Sequence, residues 1–192
     1  MMDAKPQLTT EFRRDQNSLI LSYSVVNRAR RDIYLLNRLY RMSPAWIMSP
    51  DIVYVEFDLK TDTVLLNKRI ASIPPDIMVT SPVSPFVTPV RGGETFREHV
   101  RIPLPVSEYR QYGRAAPAQQ QQTQHMFHGV RFALGYYRRV DGTTEEVRDI
   151  HNTPVVFPKT PPGAGVSVEL LEGGRVQMEI PGLVQHSPGT GR

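Results

Sequence analysis

The stretch Leu19-Ile-Leu-Ser-Tyr-Ser-Val-Val-Asn27 has the clearest periodic pattern in the chain. Its apolar and aromatic side chains alternate with a second set that includes two serines. A period of two places successive side chains on opposite faces of a strand, and β-branched and aromatic residues suit such a pleated surface. The stretch therefore predicts a β-strand with one buried face, formed by Leu19, Leu21, Tyr23 and Val25.

A second strand is predicted shortly after the first. Polar residues 27–32 interrupt the alternation, and residues 33–40 then resume an apolar pattern. Two strands with a short polar connection are typical of an antiparallel pair. We take this pair as the centre of a β-sandwich.

The rest of the chain favours short strands over long helices. Its 192 residues include 17 prolines and 13 glycines, which interrupt regular structure often. Residues 71–89 are dense in proline and are predicted to form an extended crossover between sheets. The predicted fold is all-β, an immunoglobulin-like antiparallel β-sandwich of the Greek-key type with a C-terminal β-hairpin.

The length of the chain favours one domain with appendages. Residues 113–124 are rich in glutamine, cannot bury a core, and are predicted to form a mobile loop within that domain. The predicted parts are a flexible tail at 1–8, the β-sandwich domain at 9–157, a linker at 158–165, a β-hairpin at 166–180 and a flexible tail at 181–192.

The predicted hairpin has a definite register. A loop of Glu172, Gly173 and Gly174 pairs Leu170 with Val176 and places the apolar side chains of both strands on one face. A turn of the two glycines alone would mix polar and apolar faces. Because a lone hairpin is marginal in water, this one is expected to dock on the sandwich, on another subunit or on a partner.

The composition excludes several classes of protein. The chain has no cysteine, which excludes disulfides, thiolate metal sites and a cysteine nucleophile. No apolar run approaches the roughly 18 residues that a membrane helix needs, and residues 1–10 contain no apolar signal segment. We therefore expect a cytoplasmic protein without membrane contact.

The sequence contains no recognisable catalytic or cofactor-binding motif. It lacks a Gly-x-Ser-x-Gly elbow, a glycine-rich phosphate loop and a dinucleotide fingerprint. His125 and His128 have a spacing that a metal uses on a helical turn, but no glutamate base or third ligand accompanies them. We expect no metal, no cofactor and no catalytic residue.

Basic residues are concentrated near the start of the chain. Residues 1–41 hold eight basic side chains against four acidic ones, which accounts for the formal net charge of +4. That charge is too small to make nucleic acid an expected partner. Arginine binds carboxylate or phosphate through paired hydrogen bonds, although the same residues also suit a solvated, charge-paired surface. The candidate anion-binding residues are Arg28, Arg30 and Arg31, together with Arg97, His99 and Arg101 on one face of a predicted strand.

The only tryptophan lies in a loop between two prolines. Trp46 has Met42, Ile47 and Met48 as neighbours, and these four are the candidate partner-binding residues. Two arrangements fit this composition. The loop could fold Trp46 over one end of the sandwich as a plug, or it could present an exposed aromatic and methionine patch to a partner. The crossover at 74–89 is a second candidate contact region.

Residues 21–35, Leu-Ser-Tyr-Ser-Val-Val-Asn-Arg-Ala-Arg-Arg-Asp-Ile-Tyr-Leu, resemble the strand–turn–strand core of bacterial immunoglobulin-like modules. In those modules an alternating strand ends in Val-x-Asn, and a polar turn leads into the next strand. The stretch is also similar to the intracellular proteinase-inhibitor family of cytosolic β-sandwiches. The resemblance implies the architecture, and it adds proteinase inhibition to the candidate functions.

Two classes of function remain. We expect a non-catalytic β-sandwich that binds another protein or assembles with itself as a homo-oligomer. The alternative is an anionic-ligand-binding protein, or an enzyme of unrecognised type, that uses the face of Arg97, His99 and Arg101. A ligand site forms a concave pocket with convergent polar groups, whereas an interaction module presents an apolar patch.

Overall fold

The computed structural model describes residues 4–42, 44–80, 82–112 and 122–185, and all regular structure in these ranges is β. No helix in this part of the chain is long and apolar enough to cross a membrane. The strands in chain order are β1 (Gln7–Arg14), β2 (Ser18–Val26), β3 (Ile33–Arg38), β4 (Tyr40–Arg41), β5 (Ile47–Met48), β6 (Tyr54–Asp58), β7 (Thr63–Lys68), β8 (Phe86–Val90), β9 (Thr95–Pro103), β10 (Val106–Ser107), β11 (Gln122–Arg138), β12 (Thr144–Ile150), β13 (Thr153–Lys159), β14 (Val168–Glu172) and β15 (Val176–Gln185).

The strands form two sheets in a sandwich-like arrangement, in agreement with the predicted all-β class. The first sheet has three strands in the order β1-β2-β9. The second has ten strands, with the path β10-β15-β11-β3-β8-β13-β12 and with β6, β7 and β14 attached beside it. Strands β4 and β5 form a separate short ribbon. The main core lies between the sheets and contains apolar side chains from both.

The strand with the clearest alternation, β2, is buried as predicted. Its inward set is at most 3% exposed and consists of Leu19, Leu21, Tyr23 and Val25. The predicted pairing of this strand with the next one is wrong. Strand β2 lies between β1 and β9, antiparallel to both, whereas β3 pairs with β8 and β11 in the second sheet.

The polar connection after β2 crosses between the sheets because a buried asparagine fixes its path. Asn27 is completely buried, and its side-chain amide donates to the carbonyl oxygens of Arg31 and Val90, at 2.9 and 3.0 Å. Its side-chain oxygen accepts a hydrogen bond from the Ala29 amide at 3.2 Å. These bonds supply the backbone groups of the crossing with partners that a sheet ladder would otherwise provide.

Strand β11 is the central strand of the second sheet. It pairs with β15 and β14 along one edge and with β7 and β3 along the other. Residues 122–124, predicted as part of a mobile loop, belong to this strand, and residues 113–121 of that loop lie outside the described residues. Alternate residues of this strand point into the core and are completely buried, namely Val130, Phe132, Leu134 and Tyr136.

The predicted C-terminal hairpin is wrong. Strands β14 and β15 do not pair with each other, and both run antiparallel along the same edge of β11, with Val176 opposite Val130. Residues 173–175 interrupt the two strands, although the Gly173 amide still donates to the Phe132 carbonyl oxygen at 2.9 Å. The long edge of β11 offers backbone partners to both strands, which makes it a better arrangement than a lone two-stranded hairpin.

Three strands extend into segments that were predicted as tails or as a linker. Strand β1 begins at Gln7, inside the predicted N-terminal tail, and β13 reaches Lys159, inside the predicted linker. Strand β15 reaches Gln185, inside the predicted C-terminal tail. Pairing with a neighbouring strand extends each element, and such pairing leaves no trace in local composition. Residues 1–3 and 186–192 of the two tails lie outside the described residues.

A buried ionic network joins the two sheets. One carboxylate oxygen of Glu98 on β9 accepts hydrogen bonds from Lys68 Nζ on β7 and from the Tyr23 hydroxyl on β2, each at 2.6 Å. The other oxygen accepts one from Arg38 Nη1 on β3, also at 2.6 Å. Lys68 is fully buried and donates in addition to the Pro50 carbonyl oxygen at 2.7 Å. Burial lowers the pKa of Lys68, and the charge of Glu98 opposes that shift.

We expect a chain that ends at Lys159 not to fold. Without β14 and β15, one edge of β11 loses its backbone partners and the core beneath it is uncovered. Thermal unfolding followed by circular dichroism should show no cooperative transition, whereas a control chain that ends at Gln185 should keep one. A cooperative, folded chain ending at Lys159 would contradict the role assigned to these strands.

Replacing Lys68→Met should lower the free energy of unfolding by about 2–4 kcal/mol, because Glu98 keeps a buried charge but loses one of its cations. The double variant Lys68→Met with Glu98→Gln should recover part of that loss. Urea unfolding measures both. The control Arg69→Met removes a partly exposed ion pair at the next residue and should cost less than about 1 kcal/mol. Equal losses in the two single variants would contradict the buried network.

Candidate functional site

Trp46 belongs to a half-buried stack of rings on the surface. Its ring centroid lies 6.3 Å from that of Tyr40 and 4.8 Å from that of His151. The β4–β5 ribbon folds the chain back and so brings Tyr40 and Trp46 together. The stack continues from Tyr40 to Phe86 at 5.1 Å and from Phe86 to Phe157 at 5.3 Å. We call these five residues the aromatic stack.

The predicted partner-binding residues divide into two groups. Trp46 and Met48 are half-buried against the protein, as the plug arrangement required. Met42 is 68% exposed and Ile47 is 51% exposed, as the patch arrangement required. The structure therefore combines the two arrangements, with packed rings behind an exposed apolar edge.

A cavity of about 300 Å³ opens between β6, the proline-dense segment after β7, and the segment that follows β10. Tyr54 and Tyr112 contribute its aromatic surface. The Tyr112 hydroxyl accepts a hydrogen bond from the Val83 amide at 2.7 Å, which ties the two loop segments together. Its other lining residues are Glu56, Arg69, Ala71, Ser72, Ile73, Pro74, Pro75, Arg110 and Gln111.

Tyrosines connect the cavity to the aromatic stack. Burial raises the pKa of Tyr40 and of Tyr54, and the nearby Tyr112 adds to both shifts. The geometry links the two more directly: Arg41 of the β4–β5 ribbon lies 4.3 Å from the ring centroid of Tyr109, and the Tyr109 ring lies 5.8 Å from that of the cavity residue Tyr54. The stack and the cavity are therefore neighbours, and together we call them the aromatic site. Because their pKa values are raised, Tyr40 and Tyr54 stay protonated at neutral pH and act as hydrogen-bond donors rather than as bases.

The charged groups of the cavity are paired and oriented. Arg69 Nη2 lies 3.2 Å from a carboxylate oxygen of Glu56, and the same oxygen accepts a hydrogen bond from Asn67 at 3.2 Å. Arg110 Nη2 lies 3.2 Å from a carboxylate oxygen of Glu108. The carboxylate of Glu56 is thus held by two side chains at the edge of the cavity. Apolar walls with a few fixed polar groups are typical of binding sites.

The first set of predicted anion-binding residues lies on the exposed outer face of the first sheet. Arg97, His99 and Arg101 alternate along β9 with buried residues. His99 Nδ1 lies 2.9 Å from the Ser22 hydroxyl, and Arg101 Nη1 lies 3.2 Å from a carboxylate oxygen of Asp15. The three side chains follow one strand and do not converge on a common point.

The second set, Arg28, Arg30 and Arg31, lies in the exposed connection between β2 and β3. Arg30 and Arg31 line a cleft of about 320 Å³ together with Arg139. Arg31 forms an ion pair with Asp141 at 3.3 Å. The two predicted sets therefore lie on different elements, and neither lines the aromatic cavity.

An ion-pair network flanks that cleft. Arg91 joins Asp32 and Glu145 through Nη1 at 2.8 Å and Nη2 at 2.7 Å. Arg139 Nη1 also donates to Asp32 at 3.0 Å, and the Tyr34 hydroxyl donates to Glu145 at 2.9 Å. Burial alone would raise the pKa of Asp32, but hydrogen bonds from Arg91 and Arg139 lower it. The hydrogen bond from Arg91 likewise lowers the pKa of Glu145.

The two histidines considered for a metal share one carboxylate. His125 Nε2 and His128 Nδ1 lie 2.8 and 2.6 Å from the two oxygens of Asp62. A bulge in the pairing of β11 with β15 at His128 explains how residues three apart reach the same side. Within the described ranges, no group of three or more His, Asp or Glu side chains is arranged to hold a metal ion.

Sequence reasoning missed the cavity. Its walls come from residues 54–56, 69–75 and 110–112, which only the tertiary fold brings together. The single local signal was the proline density of the crossover, which was predicted as a contact region. The crossover is also shorter than predicted, since residues 86–90 pair with β3 as a strand.

The ion-pair network of Arg91 should make the free energy of unfolding depend on pH. Because the folded pKa values of Asp32 and Glu145 are depressed, their contribution is present above about pH 4 and is lost as pH falls through the folded values. Arg91→Gln should lower the free energy of unfolding at pH 7 by about 1 kcal/mol, and the difference from wild type should shrink towards pH 3. Urea unfolding across pH measures this, with Arg97→Gln on the exposed outer face of the first sheet as the control, whose difference from wild type should stay near zero at every pH. A difference that stays constant with pH would contradict it.

No family model, no curated protein and no solved structure matches the chain.

Proposed function

We propose that this protein is a non-catalytic protein-binding module and that the aromatic site receives the partner. The proposal rests on one observation: a concave surface and an exposed apolar surface lie next to each other. A cavity of about 300 Å³ adjoins the aromatic stack, at whose edge Met42 and Ile47 are more than half exposed. Apolar surface of this kind, rimmed by polar groups, is typical of interaction sites.

The chemistry of the site favours a protein partner. The cores of protein interfaces are enriched in Tyr, Trp, Phe, Met and Arg, and the aromatic site is built from these residue types. Arginines also lie over rings of the site and next to it, with Arg148 4.8 Å from the ring centroid of Phe157 and Arg41 4.3 Å from that of the neighbouring Tyr109. The cavity is at the small end of the range for drug-sized ligands, and it suits one or two side chains of a partner.

For the fold, we propose the immunoglobulin-like Greek key. The order β1-β2-β9 in one sheet and the order β3-β11-β14 or β15 in the other support it, because they match the A-B-E and C-F-G arrangement of that fold. The crossing of the chain from β2 to β3 between sheets also fits. Strands β6, β7, β12 and β13 are additions to that plan, and β6 contributes Tyr54 and Glu56 to the wall of the cavity.

Selection from a random peptide display library on the full chain tests the proposed function. We expect a consensus that contains a large apolar or aromatic residue, because the cavity accepts such a side chain. Selected peptides should bind Ile73→Asp at least about tenfold more weakly, since the carboxylate would be desolvated in the cavity wall, and Trp46→Ala several-fold more weakly. Arg97→Gln, on the outer face of the first sheet, is the control that should keep full affinity in fluorescence anisotropy.

Light scattering on the same proteins shows whether the aromatic site binds a second copy of the chain or a different protein. If the wild type is an oligomer and the two site variants are monomers, the aromatic site binds another copy of this chain. Two results would show the proposal to be wrong. One is a monomeric wild type with no peptide consensus, and the other is a set of peptides that bind both site variants as tightly as wild type.

A further inference from the structure

The buried ionic network touches a side chain that its ion pairs do not need. Asn37 on β3 is completely buried, and its Nδ2 donates to Glu98 Oε1 at 3.4 Å. Its Oδ1 is also buried and has no hydrogen-bond partner in the described ranges. Buried amide oxygens are seldom left in this state, because nothing then offsets the loss of their hydration. Asn37 is therefore a polar group whose burial the ion pairs do not explain.

One carboxylate brings Asn37 and Lys68 together. Lys68 Nζ lies 2.6 Å from Glu98 Oε2, and Asn37 Nδ2 lies 3.4 Å from Oε1. Because both oxygens belong to one planar group, the amine and the amide are neighbours on it. The backbone agrees with this placement. Strands β3 and β7 border the same edge of β11, where their paired residues nearest to each other lie opposite Tyr136 and Leu134.

These three side chains supply an amine, a proton carrier and an acyl group. Burial lowers the pKa of Lys68, although the charge of Glu98 opposes that shift, and the neutral amine is the nucleophilic form. The Glu98 carboxylate contacts the nitrogens of both other groups and can move a proton between them. Because Lys68 and Asn37 are fully buried, the amine rather than bulk water meets the amide.

We propose that Lys68 and Asn37 join through an isopeptide bond, formed once in each folded chain, with Glu98 as the general base and acid. The bond cross-links β7 to β3 through their side chains, inside the core. It requires no metal, cofactor or oxidant, since one amide is exchanged for another. The inference is independent of the aromatic site and of any partner.

The reaction balances without a further reactant. Glu98 takes one proton from the Lys68 ammonium, and rotation of the terminal torsions of the lysine brings Nζ to the amide carbon. The electron pair of Nζ attacks Cγ of Asn37, and the carbonyl π pair moves to Oδ1. Glu98 then gives its proton to Nδ2 and takes a second one from Nζ. The pair on Oδ1 returns, the Cγ–Nδ2 bond breaks, and ammonia leaves with the proton that remains on Glu98.

Two other contacts hold the carboxylate between the reacting groups. The Tyr23 hydroxyl and Arg38 Nη1 each donate to it at 2.6 Å. These bonds fix its orientation while protons pass through it. Arg38 also remains as a counterion after Lys68 has lost its charge, so the product contains no unpaired buried carboxylate.

Mass spectrometry of the denatured full chain tests the proposal. The bond removes one molecule of ammonia, so the purified wild type should be about 17 Da lighter than its sequence. Tryptic digestion should release residues 32–38 joined to residues 61–69, because trypsin does not cleave after an acylated lysine. Fragment ions should place the link between Asn37 and Lys68.

Variants assign the role of each group. Lys68→Arg keeps the cation but has no primary amine, and it should have the full sequence mass. Glu98→Gln should also keep the full mass, because an amide cannot carry the proton between the two nitrogens. The control Asn67→Ser removes the asparagine next to Lys68, whose side chain hydrogen-bonds to Glu56, and it should still lose ammonia. Circular dichroism shows which variants are folded.

The wild type alone decides the matter if a variant fails to fold. A folded wild type that keeps its full sequence mass after prolonged incubation at neutral pH would overturn the proposal. Loss of ammonia that persists in Lys68→Arg, or linked peptides that lack either residue, would overturn it as well. A folded Glu98→Gln chain that forms the bond as fast as wild type would show that Glu98 is not the proton carrier.

Discussion

The carboxylate of Glu98 is the contact that fixes the position of the strands of one sheet against those of the other. It accepts hydrogen bonds from Tyr23 in its own sheet and from Lys68 and Arg38 in the opposite one. A buried charge is costly unless its partners are all in place, so this arrangement allows little slippage of β7 against β9. Because neighbouring side chains of a strand face opposite ways, an inward Lys68 requires Arg69 to face outward. The outward orientation of Arg69, which pairs with Glu56 at the cavity, is in this sense a consequence of a charge in the core.

Local periodicity predicted the buried faces of the strands well and their partners poorly. Alternation identified the inward set of β2 because a period of two is a property of a few consecutive residues. Which edges meet depends on the whole fold, and so both the pairing of β2 with β3 and the hairpin at 166–180 were wrong. The role of Glu98 could not be predicted for a similar reason. It falls on the apolar face of β9, and the lysine that makes this tolerable lies 30 residues away.

The candidate site was predictable only in the part that a single segment of the chain forms. The composition around Trp46 drew attention to that loop, and the structure gives it packed rings and an exposed apolar edge. The cavity required three segments of the chain to be brought together, and no local pattern in the sequence predicts such an arrangement.

The central position of β11 also has a consequence for how the protein is made. Its partners β3 and β7 precede it in the chain, whereas β14 and β15 follow it. During synthesis the strand therefore leaves the ribosome with the partners of one edge already present and with the other edge bare. Long-range pairing is slow, and uncovered strand edges associate readily with one another. That edge is covered only once residues up to Gln185 have been synthesised.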